Sequence, residues 1–195
     1  MEIFMYKLPL QEKCFSLDSG FFYGENYDKI KTKRDGMNII FLDVNGVIDS
    51  FNNNRKHIDP YGEHHFDWNC IYQLYELVKD TDSYLVVSSE WRHSKSSMKK
   101  LLQALSFFGL EERVIGKTPQ RIVRNGNSSK ADRGLEIESY LKKHECDNFV
   151  ILDDVKWDLD RFEDHLVWTD PSEGLTERDV LKAKEILKKK KVLQK

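Results

Sequence analysis

Three short apolar runs, NIIFL at 38–42, YLVV at 84–87 and NFVIL at 148–152, stop abruptly at polar residues: Asp43, then Ser88 and Ser89, then Asp153 and Asp154. Short runs without polar alternation are the pattern of parallel strands buried on both faces. Helical spacing fills the gaps between them. Ile71, Leu74, Tyr75 and Val78 follow a capping Asp67. Met98, Leu101, Leu102 and Leu105 follow Ser94 or Ser96, and Gly109 suits the end of that helix. Ile137, Tyr140, Leu141 and His144 repeat the spacing, and Thr176 caps a final helix. ERVIG (112–116) and HLVWTD (165–170) read as two further strands, the first of them weak. Strands alternating with helices of about 10–15 residues predict an α/β fold, a Rossmann-like three-layer sandwich with a mostly parallel central sheet. Ligands of such sheets collect beyond the carboxyl ends of the strands. The polar residues that end the apolar runs would therefore form one cluster there.

Carboxylates brought together from two strand ends repel one another, and a hard cation relieves the repulsion. Mg2+ prefers oxygen ligands and retains room for waters and a phosphate oxygen. A carboxylate is also a nucleophile toward phosphorus, forming an acyl phosphate, once a metal neutralises the charge between them. A hydroxyl from Ser88 or Ser89 and a cation from Lys130 or Arg133 would hold the remaining phosphate oxygens.

At these residues the chain resembles the haloacid dehalogenase (HAD) superfamily of phosphatases. FLDVNGVID (41–49) resembles the first family motif, hhhhDxDGV, VVSSEWR (86–92) the second, and VILDD (150–154) the fourth; Lys130 and Arg133 fall where the third motif's cation belongs. The closer likeness is to HAD domains associated with RNA repair. It is carried by SSEWR, Thr118-Pro119, RGLEI (133–137), ILDD and Gly174-Leu175-Thr176 in that order. The resemblance implies Asp43 as nucleophile and metal ligand, and the backbone carbonyl of Asn45 as a second ligand. It implies Ser88, or Ser89, on the transferring phosphoryl group, Arg133 or Lys130 as the balancing cation, and Asp153 and Asp154 on Mg2+.

The family's second aspartate donates a proton to the leaving alcohol and then activates water. Here that position is Asn45. An amide cannot move that proton, and general acid–base help is worth about 10²–10⁴ in rate. Three readings stay open: an Asp→Asn change introduced to trap an intermediate, a natural variant that binds phosphate and turns it over poorly, or a neighbour such as Asp49 or Glu90 in the missing role.

Residues 1–36 read as an N-terminal extension of uncertain structure, and 37–195 as the phosphatase domain with a lysine-rich C-terminal helix. The two usual cap insertion points hold only 50–66, which reads as a loop or small flap, and 117–130, which reads as a basic loop, so the cap is minimal. His64-His65 falls in the first and reads as loop surface. Both stretches carry cations: Arg55, Lys56 and His57 in one, Lys117, Arg121 and Arg124 in the other. With Ser89, Trp91 and Arg92, the cations Arg55 and Lys56 make a candidate substrate-binding set, and Trp91 or Tyr61 offers a surface for base stacking. An open, cationic mouth suits a phosphorylated substrate such as a nucleotide or nucleic-acid end. The alternatives are a phosphate-ligand binding module and a phosphoprotein phosphatase. The net charge of -2 makes the whole chain no polycation. Cys14, Cys70 and Cys146 are too scattered for a disulfide frame or a zinc site, no apolar run approaches a membrane span, and the N-terminus lacks the order of a signal peptide. A cytoplasmic setting with reduced thiols and no membrane follows as the expectation.

Overall fold

The computed structural model describes residues 37–52, 56–58, 64–120, 122–125 and 128–189, with 56–58, 64–65, 122–125 and 128–131 described as backbone. The expected extension at 1–36, Arg55, Tyr61 and Arg121 lie outside the described residues, as do the side chains of Lys56, His57, His64, His65, Arg124 and Lys130. Five strands form the central sheet: β1 (Asn38–Leu42), β4 (Tyr84–Val87), β5 (Val114–Lys117), β8 (Asn148–Asp153) and β9 (Leu166–Trp168). Their order is β5-β4-β1-β8-β9, and every neighbouring pair is parallel. The three apolar runs are thus the three central strands.

Their side chains divide by parity between two cores, which is why no polar alternation appears in the sequence. Ile40 and Leu42 of β1 face one core with Leu85, Val87, Val150 and Leu152. That core is closed by α1 (Trp68–Thr81), α2 (Lys95–Ser106) and α4 (Glu177–Lys188). Ile39 and Phe41 face the other with Val86 and Ile151, and α3 (Arg133–Leu141) covers it through Ile137 and Tyr140. The Rossmann-like three-layer α/β arrangement is as the sequence predicts.

Side-chain caps fix where the helices start. Asp67 accepts from the Asn69 N–H at 3.0 Å, and Ser94, rather than Ser96, accepts from the Ser97 N–H at 3.3 Å. Thr176 and Asp179 form a reciprocal capping box. His144 lies past the end of α3 at Leu141 and rests against the Tyr140 ring, 4.2 Å between centroids. No helix among the described residues is long and apolar enough to cross a membrane.

The stretch expected as a loop or small flap gains detail, and the one expected as a basic loop is corrected. Each contains a two-stranded antiparallel hairpin: β2 (Lys56–Ile58) with β3 (His64–Asp67), and β6 (Ile122–Asn125) with β7 (Ser128–Ala131). Paired backbones satisfy their own polar groups without an apolar face, so composition conceals them. The Asn125-Gly126 dipeptide was the available signal. A hairpin at each insertion point is still a minimal cap.

Gly174 ties the end of the domain to the loop after β1. It has φ +66, and a Cβ there would lie 2.6 Å from Cys70 Sγ and 2.8 Å from Val47 O. The next residue, Leu175, donates its N–H to that same Val47 O at 2.8 Å. Gly174→Ala is expected to lower stability by more than about 1 kcal/mol, seen as a lower urea midpoint with unchanged m-value.

Candidate active site

Asp43 follows β1 at the carboxyl edge of the sheet, and its N–H continues the ladder to Leu152 O at 3.0 Å. Beyond it the chain turns sharply, with the Ile48 and Asp49 N–H groups both donating to Val44 O. The turn requires Gly46, at φ +72, because a Cβ there would fall 2.5 Å from the Asp154 carboxyl carbon. The glycine of the first motif therefore makes room for the second residue of the acidic pair. Thr169, after β9, fastens the same turn by donating to Gly46 O at 2.9 Å.

Carboxylate oxygens of Asp43, Asp153 and Asp154 all lie within 4.8 Å of one another. Asp43 and Asp153 are buried, and Asp154 is half-buried. Arg133, the first residue of α3, reaches across to hydrogen-bond Asp153, and its Nη1 lies 3.6 Å from Asp43 Oδ2. Of the two cations expected for this place, Arg133 makes this contact, and the Lys130 side chain lies outside the described residues. The N-cap Asp132 positions it by accepting from the Leu135 N–H at 2.8 Å, and Asp158 accepts from the Arg133 N–H at 2.9 Å. Gly134 lets the segment carrying Asp158 approach, since a Cβ would meet Asp158 O at 2.3 Å.

The electrostatics follow from that packing. Burial disfavours the charge on Asp43 and raises its pKa against the lowering pull of Arg133 and a hydrogen bond from Ser89. Burial likewise lifts Asp153 to about 7, opposed by Arg133 and reinforced by Asp43. Asp154 is raised by burial and by Asp43. Burial opposes the charge on Arg133, but the two carboxylates outweigh it and raise its pKa. Among the described side chains three carboxylates share one guanidinium, which leaves two negative charges unbalanced there when all are ionised. One divalent cation would match them, and an all-oxygen donor set suits Mg2+ rather than a thiophilic metal.

Ser88 and Ser89 follow β4 beside Asp43, and the Ser88 N–H donates to Leu42 O at 2.8 Å. Ser88 Oγ is buried with no hydrogen-bond partner among the described residues. Asn45 is exposed at the mouth, and its Oδ1 accepts from the Trp91 indole N–H at 3.0 Å. Trp91 also packs on Phe66, 5.4 Å between ring centroids. Glu90 is exposed, 3.9 Å from Arg92 and 3.7 Å from His93, and the Asp49 side chain is buried.

Arg92, expected among the substrate contacts, is turned inward and is 2% exposed. It donates to the carbonyls of Ser88 (3.0 Å), Ser89 (2.7 Å) and Thr118 (3.2 Å), and to Glu136 at 2.5 Å. A buried guanidinium needs such partners. The Arg of SSEWR and the Glu of RGLEI are therefore one buried ion pair that positions the serine turn. Of the other expected substrate contacts, Ser89 and Trp91 adjoin Asp43 and Asn45, while Arg55 and the Lys56 side chain lie outside the described residues. Sequence reasoning also passed over Trp168, whose indole N–H donates to Asp154 O at 2.8 Å. Its place at the end of the last strand was the available signal.

A sequence profile for the HAD domain in Swiss Army Knife RNA repair proteins matches residues 39–180. No curated protein matches the chain.

Two outcomes are expected. Arg92→Ala removes the guanidinium that faces the buried Glu136 carboxylate, and should cost about 3–5 kcal/mol of folding stability by chemical denaturation. For the carboxylates, a folded-state pKa above the ordinary value makes the metal-free protein lose stability as pH rises, up to about 7 for Asp153. A cation bound to the ionised cluster reverses that loss. The rise in Tm on adding MgCl2 should therefore be larger at about pH 8 than at about pH 5, and Asp153→Asn should diminish it.

Proposed function

The chain belongs to the family of HAD domains found in Swiss Army Knife RNA repair proteins, and on that premise we propose that it is a Mg2+-dependent phosphatase acting through an aspartyl-phosphate, with nucleotide or nucleic-acid phosphate ends as substrates and hydrolysis slowed by Asn45. The observation that carries the reading is the convergence of Asp43, Asp153 and Asp154 around Arg133 at the sheet's edge. When bound, Mg2+ supplies charge neutralisation, so that an anionic nucleophile meets an anionic phosphate. Asp43, the Asn45 backbone carbonyl, Asp153 and Asp154 are the residues that would hold it.

The chemistry assigned to the chain's own groups is an in-line displacement. An Asp43 carboxylate oxygen forms a bond to phosphorus as the bond to the ester oxygen breaks, and water then hydrolyses the acyl phosphate to regenerate Asp43. Arg133 holds charge beside the nucleophile. Ser88 offers a phosphoryl oxygen its buried hydroxyl; an unmet buried donor costs about 1–3 kcal/mol, so a bound phosphoryl group relieves it. Asn45 has no acidic proton for the departing oxygen, and its amide oxygen is held by Trp91. The lack of an acidic proton at position 45 favours one further reading, a phosphate-binding module with slow turnover. Acceptance of a phosphoprotein instead of a nucleic acid is the remaining alternative. The scattered thiols, of which Cys70 and Cys146 form no disulfide among the described residues, suit a reducing cytoplasmic setting.

Asn45→Asp restores a proton donor that the Trp91 N–H can still hold. It should raise kcat by about 10²–10⁴ on an aryl phosphate with Mg2+, and Asp43→Asn in that background should abolish turnover. Equal activity of native and Asn45→Asp proteins would refute the impairment. Retained turnover after Asp43→Asn would refute the nucleophile. Oligonucleotides with 3′- or 5′-phosphates, compared with phosphopeptides, decide the substrate class.

A further inference from the structure

Single exposed apolar side chains are common, but three exposed aromatics fall on segments that leave the carboxyl ends of the strands. Trp168 ends β9 at 57% exposure, Trp157 follows β8 at 57%, and Phe51, in the segment after β1, is at 56%. Phe51 is tied to the turn after β9 by its N–H to Pro171 O at 2.7 Å.

Trp168 is the best placed of the three. It pairs in register with Asp153, and its indole N–H donates to the backbone oxygen of Asp154 at 2.8 Å. The next residue, Thr169, donates its N–H to Asp153 O at 3.0 Å and its hydroxyl to Gly46 O. The indole is therefore rigidly mounted one residue from the carboxylate cluster. The Lys156 ammonium lies 5.7 Å from its ring centroid. The Asp154 contact accounts for the N–H, and more than half of the residue's surface is open to solvent. A flat π-surface with a cation beside it, at the rim of a phosphate site, has the composition of a nucleotide-binding platform.

We propose that Trp168 is a positioning residue that stacks the base of the nucleotide bearing the phosphate, with Lys156 beside that nucleotide's backbone. The proposal rests on the phosphate-end reading above and adds to it the group that selects a nucleotide. A phosphorylated side chain of a protein presents no such base.

The test is equilibrium binding of the full chain in Mg2+ to fluorescein-labelled oligonucleotides carrying a 3′- or 5′-phosphate. The terminal phosphorylated nucleotide is either intact or abasic. Loss of the base should weaken binding about 5- to 150-fold, the range for one stacked base. Trp168→Ala should lose the same factor and become indifferent to the base. Trp168→Phe also loses the contact to Asp154 O but keeps a ring, so it should stay close to the native protein. If native protein prefers phosphorylated ends but ignores the terminal base, or if the Ala and Phe variants are equal, the platform is refuted and the phosphate-end reading stands. If no oligonucleotide binds in a phosphate-dependent manner, that reading fails and takes the platform with it. Phosphopeptide binding with the same dependence on Trp168, and no oligonucleotide binding, overturns the nucleobase in favour of a peptide.

Discussion

Gathering three carboxylates at one edge of a parallel sheet is electrostatically unfavourable, and the architecture around them answers that constraint. Asp43 and Asp153 are brought together because β1 and β8 are hydrogen-bonded neighbours ending at the same level. Among the described side chains Arg133, delivered by the start of α3, bridges them. Its guanidinium balances one charge of the three, which leaves a site whose oxygens could hold a metal ion.

A second arginine serves the same edge from within. Arg92 gathers the carbonyls of Ser88, Ser89 and Thr118 and pairs with Glu136, fixing the serine turn against both β5 and α3. Motifs that look in sequence like a catalytic signature thus divide into two tasks. The serines and the acidic pair adjoin the reaction centre, whereas the Arg of one motif and the Glu of another hold those residues in place. Gly46, Gly134 and Gly174 belong to the second group, each at a close approach of two segments.

Asn45 sits where these supports meet solvent. Its amide oxygen is engaged by Trp91, so the side chain is oriented rather than loose. The hydrogen bond asks only for an acceptor, which a carboxylate would satisfy equally. The local structure therefore accommodates either residue, and the difference between them lies in proton transfer.

The sequence by itself determined the α/β class, the three central strands, the caps at Asp67 and Thr176 and the identity of the acidic cluster. These follow from local rules: apolar runs, helical spacing, capping side chains and polar residues at strand ends. It did not show that Arg133 reaches Asp153 and Asp43, did not reveal that Arg92 points inward, and did not expose the hairpins at the two insertion points. Each of those depends on which groups meet across the fold: Arg133 with Asp153 over 20 residues, Arg92 with Glu136 over 44. Direction and burial of a long cation are set by partners far away in the chain, and tertiary packing alone decided them. The same holds for Trp168, whose residue type was plain in the sequence but whose seat beside Asp154 required β9 to dock on β8.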